Sequence, residues 1–334
     1  MSRARRAWND FFFTPRSTAP LALTRIALGL VVLVEAASWA PDLTTWFATG
    51  GLSPYQPDGG AGATVFDLGA SPAAVRAAFA LLVVAAACLT IGLATRAAAV
   101  TTFVLLVSFE HRMPYVMNSG DLMLRLLVGL LVLAPAGAAL SCDRWLRHRD
   151  DFWTSPERPP WALRLVQLQV VAIYLVTVVE KLRSPSWRDG TALYYAFRSP
   201  EVVRARVPEW LVHQSTAIHV MTYGLLAVEV AIVVLVWPRR TRPFVLAAGT
   251  LMHLAGHVFL VLSVFTYVVL AAYVAFLPPD VAERLVSAVR RPSGRPSRST
   301  SPGAVAAAAG APPRPPASPS SRPGSRRRAP RRTR

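Results

Sequence analysis

The chain has 334 residues, 53% of them hydrophobic, a formal charge of +18 and a mean hydropathy of +0.38. Apolar runs close to the ~20 residues that span a bilayer exclude a pair of ordinary soluble domains and point to one polytopic membrane domain with a tail. The charge does not indicate nucleic acid, because 12 arginines and no acidic residue lie between Arg290 and Arg334, so a tail supplies most of the excess.

Arg3, Arg5 and Arg6 precede an apolar segment ending near Trp39. More apolar segments follow, which favours an uncleaved first span over a signal peptide. Predicted spans are 20–40, 74–94, 97–110, 121–140, 162–181, 217–237, 243–261 and 264–279. The fold class is therefore all-α, a membrane helix bundle of about eight transmembrane helices, the third and last being short for a straight crossing. Residues 1–19 read as a cytoplasmic N-terminus, 20–280 as the membrane domain and 281–334 as a disordered Arg/Pro-rich tail. That tail has too few large apolar groups to offset its ordering entropy. It suits anionic headgroups at the cytoplasmic face or simple solvation equally well. Cys88 lies in an apolar run and Cys142 in a charged loop, so no disulfide is expected between them.

Loop charge sets the orientation. The N-terminus, Arg96, the loop with Arg144, Arg147, Arg149 and Arg158, the trio Arg239, Arg240 and Arg242, and the tail share one side. This predicts a multi-pass cell-membrane protein with both termini cytoplasmic. The Arg/Ala-rich make-up suggests a bacterial source with a high-GC genome. One outer loop, 182–216, breaks the pattern with five arginines, partly offset by Asp189, Glu201 and Glu209. Its Trp187, Tyr194, Tyr195, Phe197 and Trp210 predict an interfacial segment folded onto the bundle.

Lys181 is the only lysine in the chain. Lysine, unlike arginine, can give up its proton when buried. Gln167, Tyr174 and Lys181 follow at intervals of seven with Thr177 between, so they share one helix face, and a polar stripe at membrane depth faces protein or a cavity. A lysine snorkelling to the interface beside Glu180 explains the position about as well. His253 and His257 lie four apart on an apolar helix, a spacing that can bind metal, but no third ligand is local and no metal is expected. The stretch from Glu110 through His111 to Asp121 is a dense polar turn, in which Asn118 and Asp121 can cap the next helix. Arg25, Glu35, Arg125 and Glu229 are ionisable at membrane depth, where each needs a partner on another helix.

Several patches then read together: Leu23-Thr24-Arg25-Ile26-Ala27-Leu28-Gly29, Trp46 to Pro54, the turn Asn118–Asp121, and Tyr174 through Lys181 to Trp187 and Gly190. In this order, over roughly residues 8–280, they resemble the HTTM (horizontally transferred transmembrane) domain family, which includes the vitamin K-dependent gamma-glutamyl carboxylases. The resemblance implies a membrane-embedded lysine base acting on a reduced isoprenoid quinone, with Lys181 in that place. The segment from His253 to Leu270 is similar to the carboxylase helix with a functional histidine, which falls on His253. The chain departs from the carboxylases in lacking room for a large lumenal substrate domain, and it has Glu180-Lys181 where they have paired lysines.

Two functions are carried forward. In the first, carboxylase-like or oxidoreductase chemistry uses Lys181 as base, His253 or His111 to stabilise an oxyanion, and Asn118, Asp121, Tyr174 and His257 around the quinone. In the second, the chain is a non-catalytic membrane factor for maturation of, or immunity to, a secreted peptide, using the loop 182–216.

Overall fold

The computed structural model describes residues 2–53 and 64–290. The predicted disordered tail from 291 onward lies outside the described residues. The longer helices are α1 (Arg3–Phe12), α2 (Ala19–Trp39), α3 (Pro72–Ile91), α4 (Thr95–Arg112) and α5 (Ser119–Leu133). They continue with α6 (Trp161–Arg183), α7 (Ser215–Leu235), α8 (Arg242–Phe259), α9 (Phe265–Tyr273) and α10 (Pro279–Arg290). Arg16–Ser17 and Glu157–Arg158 form a two-residue antiparallel pair, β1 and β2, which joins the N-terminal segment to the loop before α6.

Local chemistry sets the helix ends. Ser71 caps α3 by accepting from Ala74 N at 3.2 Å, and Pro72 occupies a first-turn position where no N–H is needed. Gly92 ends α3 in the left-handed region at φ 71°, and there is no room for a Cβ there, which would meet the Arg25 guanidinium and Ser141. The N-terminus of α4 is capped from a distance: Asp143 accepts from Ala94 N, Thr95 N and Thr95 Oγ1 at 2.7–2.8 Å. Partial burial raises the Asp143 pKa, but these bonds and the Arg147 charge outweigh it and hold the carboxyl below its ordinary 3.8. Asn118 and Asp121 form a capping box at the start of α5.

Helix α2 is central, packing on α3, α5, α9 and α10. Around it α3 and α4 pack as a hairpin, α5 follows on α4, and α6, α7 and α8 pack in sequence. One continuous apolar core runs through the bundle, with Trp39, Phe47, Phe66 and Phe109 as its aromatic end. Leu30, Leu81, Val84, Val176, Val220, Phe244, Leu251 and Val258 instead point outward and are exposed. Large aliphatic side chains on the outer faces of most helices are what hydrocarbon, not water, solvates.

Each of the eight predicted spans contains a helix, but in 121–140 the helix stops at Leu133. Among the described residues, four helices are long and apolar enough to cross a membrane: α2 extended to Phe47, α3, α6 and α7. A bent pair, α9 with α10, raises that to five if counted as one span. The shortfall has a cause in each case. Helix α4 carries Arg96, Glu110 and Arg112, α5 has only 15 residues, and α8 includes Arg242 and two histidines. Residues 281–290, read as the start of the tail, belong instead to helix α10, which is turned by 106° from the preceding one at Pro278-Pro279. Its apolar residues Ala282 and Val286 are buried against Ala19, with Leu23 packed alongside, which supplies the packing that composition alone did not reveal.

The loop 182–216 does fold onto the bundle. Val203 bridges Leu260, Arg204 N donates to Phe259 O at 2.9 Å, and Val261 N donates to Val202 O at 2.7 Å. Cys88 and Cys142 are both free.

Candidate functional site

The polar stripe of α6 meets polar residues of α7, α8 and α9. Lys181 forms an ion pair with Glu229 of α7, with side-chain exposures of 17% and 6%. The ammonium also lies 4.5 Å above the Trp187 ring, so one face of the lysine is covered by the outer segment. The second Glu229 oxygen, Oε2, is buried and has no hydrogen-bond donor.

One helical turn or two further in, Tyr174 Oη lies 2.6 Å from His253 Nε2 and 2.6 Å from Tyr273 Oη. All three residues are buried. A phenol has one proton to donate, so when Tyr174 donates to one of these neighbours it accepts from the other, and the chain then runs in one sense. Either Tyr273 donates to Tyr174, which donates to Nε2, or Nε2–H donates to Tyr174, which donates to Tyr273. Reversing the sense moves a proton to or from the imidazole without moving a heavy atom. The charges of Lys181 and Glu229 act on this trio, Lys181 on His253 and Glu229 on both tyrosines. The stripe ends at Gln167, whose Nε2 donates to Ala275 O at 2.6 Å.

His257, one turn from His253, does not join this group. It meets Arg204 at 3.0 Å and Tyr267 at 3.2 Å, at the edge where the outer segment crosses α8. The shared helix face is wide enough that one imidazole enters the bundle and the other turns to its rim.

Asn118 and Asp121, with Glu35 and Glu110, belong to a second polar cluster, whose carboxylates are buried. Asp121 Oδ2 accepts from Asn118 N at 2.6 Å, and Asn118 Oδ1 accepts from Gly120 N at 2.6 Å, so the capping role is realised. Asp121 also faces Glu35 of α2, which is near Trp39. The facing oxygens are both acceptors, and Glu35 Oε2 and Asp121 Oδ1 lack donors. Such a contact becomes a hydrogen bond only when one carboxyl carries a proton. Glu110 pairs with Arg125 at 2.7 Å, while His111 Nδ1 is buried without a partner. Gly120 connects the two clusters: a Cβ there would meet the Phe265 backbone, and the Phe265 ring lies 5.5 Å from the His253 ring.

Arg25, fully buried, donates from its two terminal nitrogens to carbonyls of Leu140, Ala136 and Thr90 at 2.6, 3.2 and 3.4 Å, and so ties three chain segments together, while its Nε finds no acceptor among the described residues. That is a structural role.

An apolar cavity of about 480 Å³ lies between α7, α8 and the outer segment. Its wall includes Val228 and Met252, the residues immediately before Glu229 and His253, together with Phe197, Leu211 and Phe259. The ionisable residues themselves face the bundle interior.

Sequence reading singled out Lys181, His253 and Tyr174, and these do converge. It named Glu229 as a costly buried acid without assigning it to Lys181, and it missed Tyr273. No local signal marks Tyr273, since an aromatic near the end of an apolar helix is ordinarily core.

The family model for the HTTM domain matches residues 13–281. No curated protein and no solved structure matches the chain. The matched span runs from the segment after α1 into α10, covering every helix that builds both clusters, and the chain belongs to the HTTM-domain family.

Proposed function

We propose that this HTTM-domain membrane protein carries out carboxylase-like or oxidoreductase chemistry on a reduced isoprenoid quinone, with Lys181 as the base. The observation that carries the reading is the meeting of a largely buried Lys181–Glu229 pair with the His253–Tyr174–Tyr273 chain. In a low-dielectric site an ion pair and the neutral amine–acid pair lie close in energy, because both charges lose hydration. A proton shift from Nζ to the glutamate therefore frees an amine that can accept a proton. Glu229 Oε2 offers a substrate hydroxyl an acceptor, and His253, held by Tyr174, can donate toward a developing oxyanion.

A quinone fits these residues in character: buried acceptors for a polar head, and a wholly apolar cavity beside them for a chain. When bound in its reduced form it would supply the electrons. Asn118, Asp121 and His111 are assigned to a supporting wall that touches the site through Phe265, and His257 to the rim. We extend the proposal to topology, with α4, α5, α8 and α9 crossing beside the four longer spans. The arginine-rich end then faces the cytoplasm of a bacterial cell.

A non-catalytic role in handling a secreted peptide is favoured by one feature, the outer segment with Trp210 69% and Tyr195 62% exposed. Native mass spectrometry of detergent-purified protein separates the two. Co-purified isoprenoid quinone in wild type, lost or reduced in Lys181→Arg, supports the enzyme. Only phospholipid in both samples, with a peptide crosslinked to the outer segment in native membranes, supports the second reading.

A further inference from the structure

At the end of the bundle that carries the arginines, a cavity of about 420 Å³ opens between α1, β1, α6, the α7–α8 turn and the start of α10. Arg16, Arg164, Arg239 and Arg242 line it with the rings of Phe11 and Trp237, and no carboxylate does. Among the described residues, the positive charge is only slightly balanced. Arg239 reaches Asp280 at 3.7 Å in a pair exposed on both sides. Arg16, Arg164 and Arg242 make no ion pair among the described residues.

The guanidiniums are nevertheless held in place. Arg164 Nε donates to Phe11 O at 3.2 Å, and its guanidinium lies 4.4 Å above the Phe11 ring. Arg242 donates to Val236 O and Trp237 O, each at 2.8 Å. The Phe11 and Trp237 rings meet at 5.8 Å, tilted by 58°, which closes the wall between α1 and the α7–α8 turn. Arg16 and Arg242 lie near enough to Arg164 for their like charges to act on it. Capping of the α7 carbonyls accounts for Arg242. It does not account for Arg16 and Arg239, which are exposed and have no such carbonyl. Like charges gathered round one hollow make a strong positive potential there, and an anion relieves their repulsion.

We infer that this cavity binds the phosphodiester headgroup of an anionic phospholipid. Arginine forks match phosphate oxygens, and a paired Phe–Trp wall suits the glycerol and upper acyl region at the depth where aromatic belts lie. Helices α1 and α10, polar on one side and apolar on the other, flank the opening as interfacial helices do. The hollow also exceeds what a lone phosphate fills. The lining residues lie between Phe11 and Pro279, and the proposal is independent of the quinone chemistry proposed above.

The test uses the full chain in detergent, titrated with phosphatidylglycerol, phosphatidylcholine or inorganic phosphate, and read by native mass spectrometry and thermal unfolding. The variant Arg16→Gln/Arg239→Gln removes two exposed side chains and so spares the fold. Arg147→Gln is the control, since its neighbouring cavity already contains Asp143. Wild type should retain phosphatidylglycerol over phosphatidylcholine. The double variant should weaken that retention by roughly tenfold or more, since each arginine near an anionic headgroup adds to the attraction. Arg147→Gln should behave as wild type. The unchanged tail contributes equally to all samples. Equal retention of the two lipids, or equal loss in Arg147→Gln, overturns the site. Stabilisation by inorganic phosphate that matches phosphatidylglycerol overturns the lipid assignment in favour of a free anion.

Discussion

The position of Lys181 makes Glu229 a residue with consequences for folding as well as chemistry. Breaking a buried pair by removing one partner strands the other charge, which costs about 3–5 kcal/mol. Lys181 keeps 17% of its side chain exposed, so Glu229→Leu should fall toward the low end of that range. Replacing both partners, as Lys181→Met with Glu229→Leu, should recover most of the loss in thermal unfolding, and a double variant no more stable than the single would show that the pair is not the cause. Tyr174→Phe keeps the ring and removes only the hydroxyl between His253 and Tyr273. Leaving two buried polar groups short of a partner should cost about 1–3 kcal/mol, measured in the same way. The stripe of Gln167, Tyr174 and Lys181 was legible because helix periodicity is a local property. Tyr273, 99 positions from Tyr174, carried no such signal, because what distinguishes it from a core aromatic is the neighbour it meets.

Helix ends give a sharper comparison of glycines. Gly92 combines a φ of 71° with a Cβ position already taken by Arg25 and Ser141, whereas Gly224 in mid-helix has nothing within 4 Å. Gly92→Ala should therefore destabilise by more than about 1 kcal/mol, while Gly224→Ala should stabilise by about 0.5–1 kcal/mol through helix propensity. Opposite shifts in melting temperature check both. The Asp143 cap of α4 adds a pH dependence. A carboxyl held below its ordinary 3.8 in the folded state binds fewer protons than in the unfolded state, so its stabilisation is present above that value and is lost as pH falls through the folded pKa. Melting curves of wild type and Asp143→Asn should differ at neutral pH and converge in acid, and a gap that persists unchanged below the folded pKa would assign the effect to packing. Element positions were legible because capping and apolarity act over a few residues. The helix over Pro279–Arg290 was not, since its stability comes from packing on Ala19.

Across the whole molecule, the apolar exterior, the arginine-rich end and the interior polar clusters have one origin: a chain whose outer solvent is hydrocarbon must direct every ionisable group inward or to the interface. The sequence by itself determined that the chain belongs in a membrane, where its helices lie, which end collects the arginines, and which residues are too polar for lipid. Those properties follow from composition and short-range periodicity. Only the tertiary structure decided the partners. It joined Lys181 to Glu229, gave His253 and His257 different neighbours despite their shared face, set Asp121 against Glu35, and gathered Arg16, Arg164, Arg239 and Arg242 round one hollow. Partner choice depends on how each helix is rotated about its axis and on which loops bring distant helices together. Neither quantity is written in any window of a few residues.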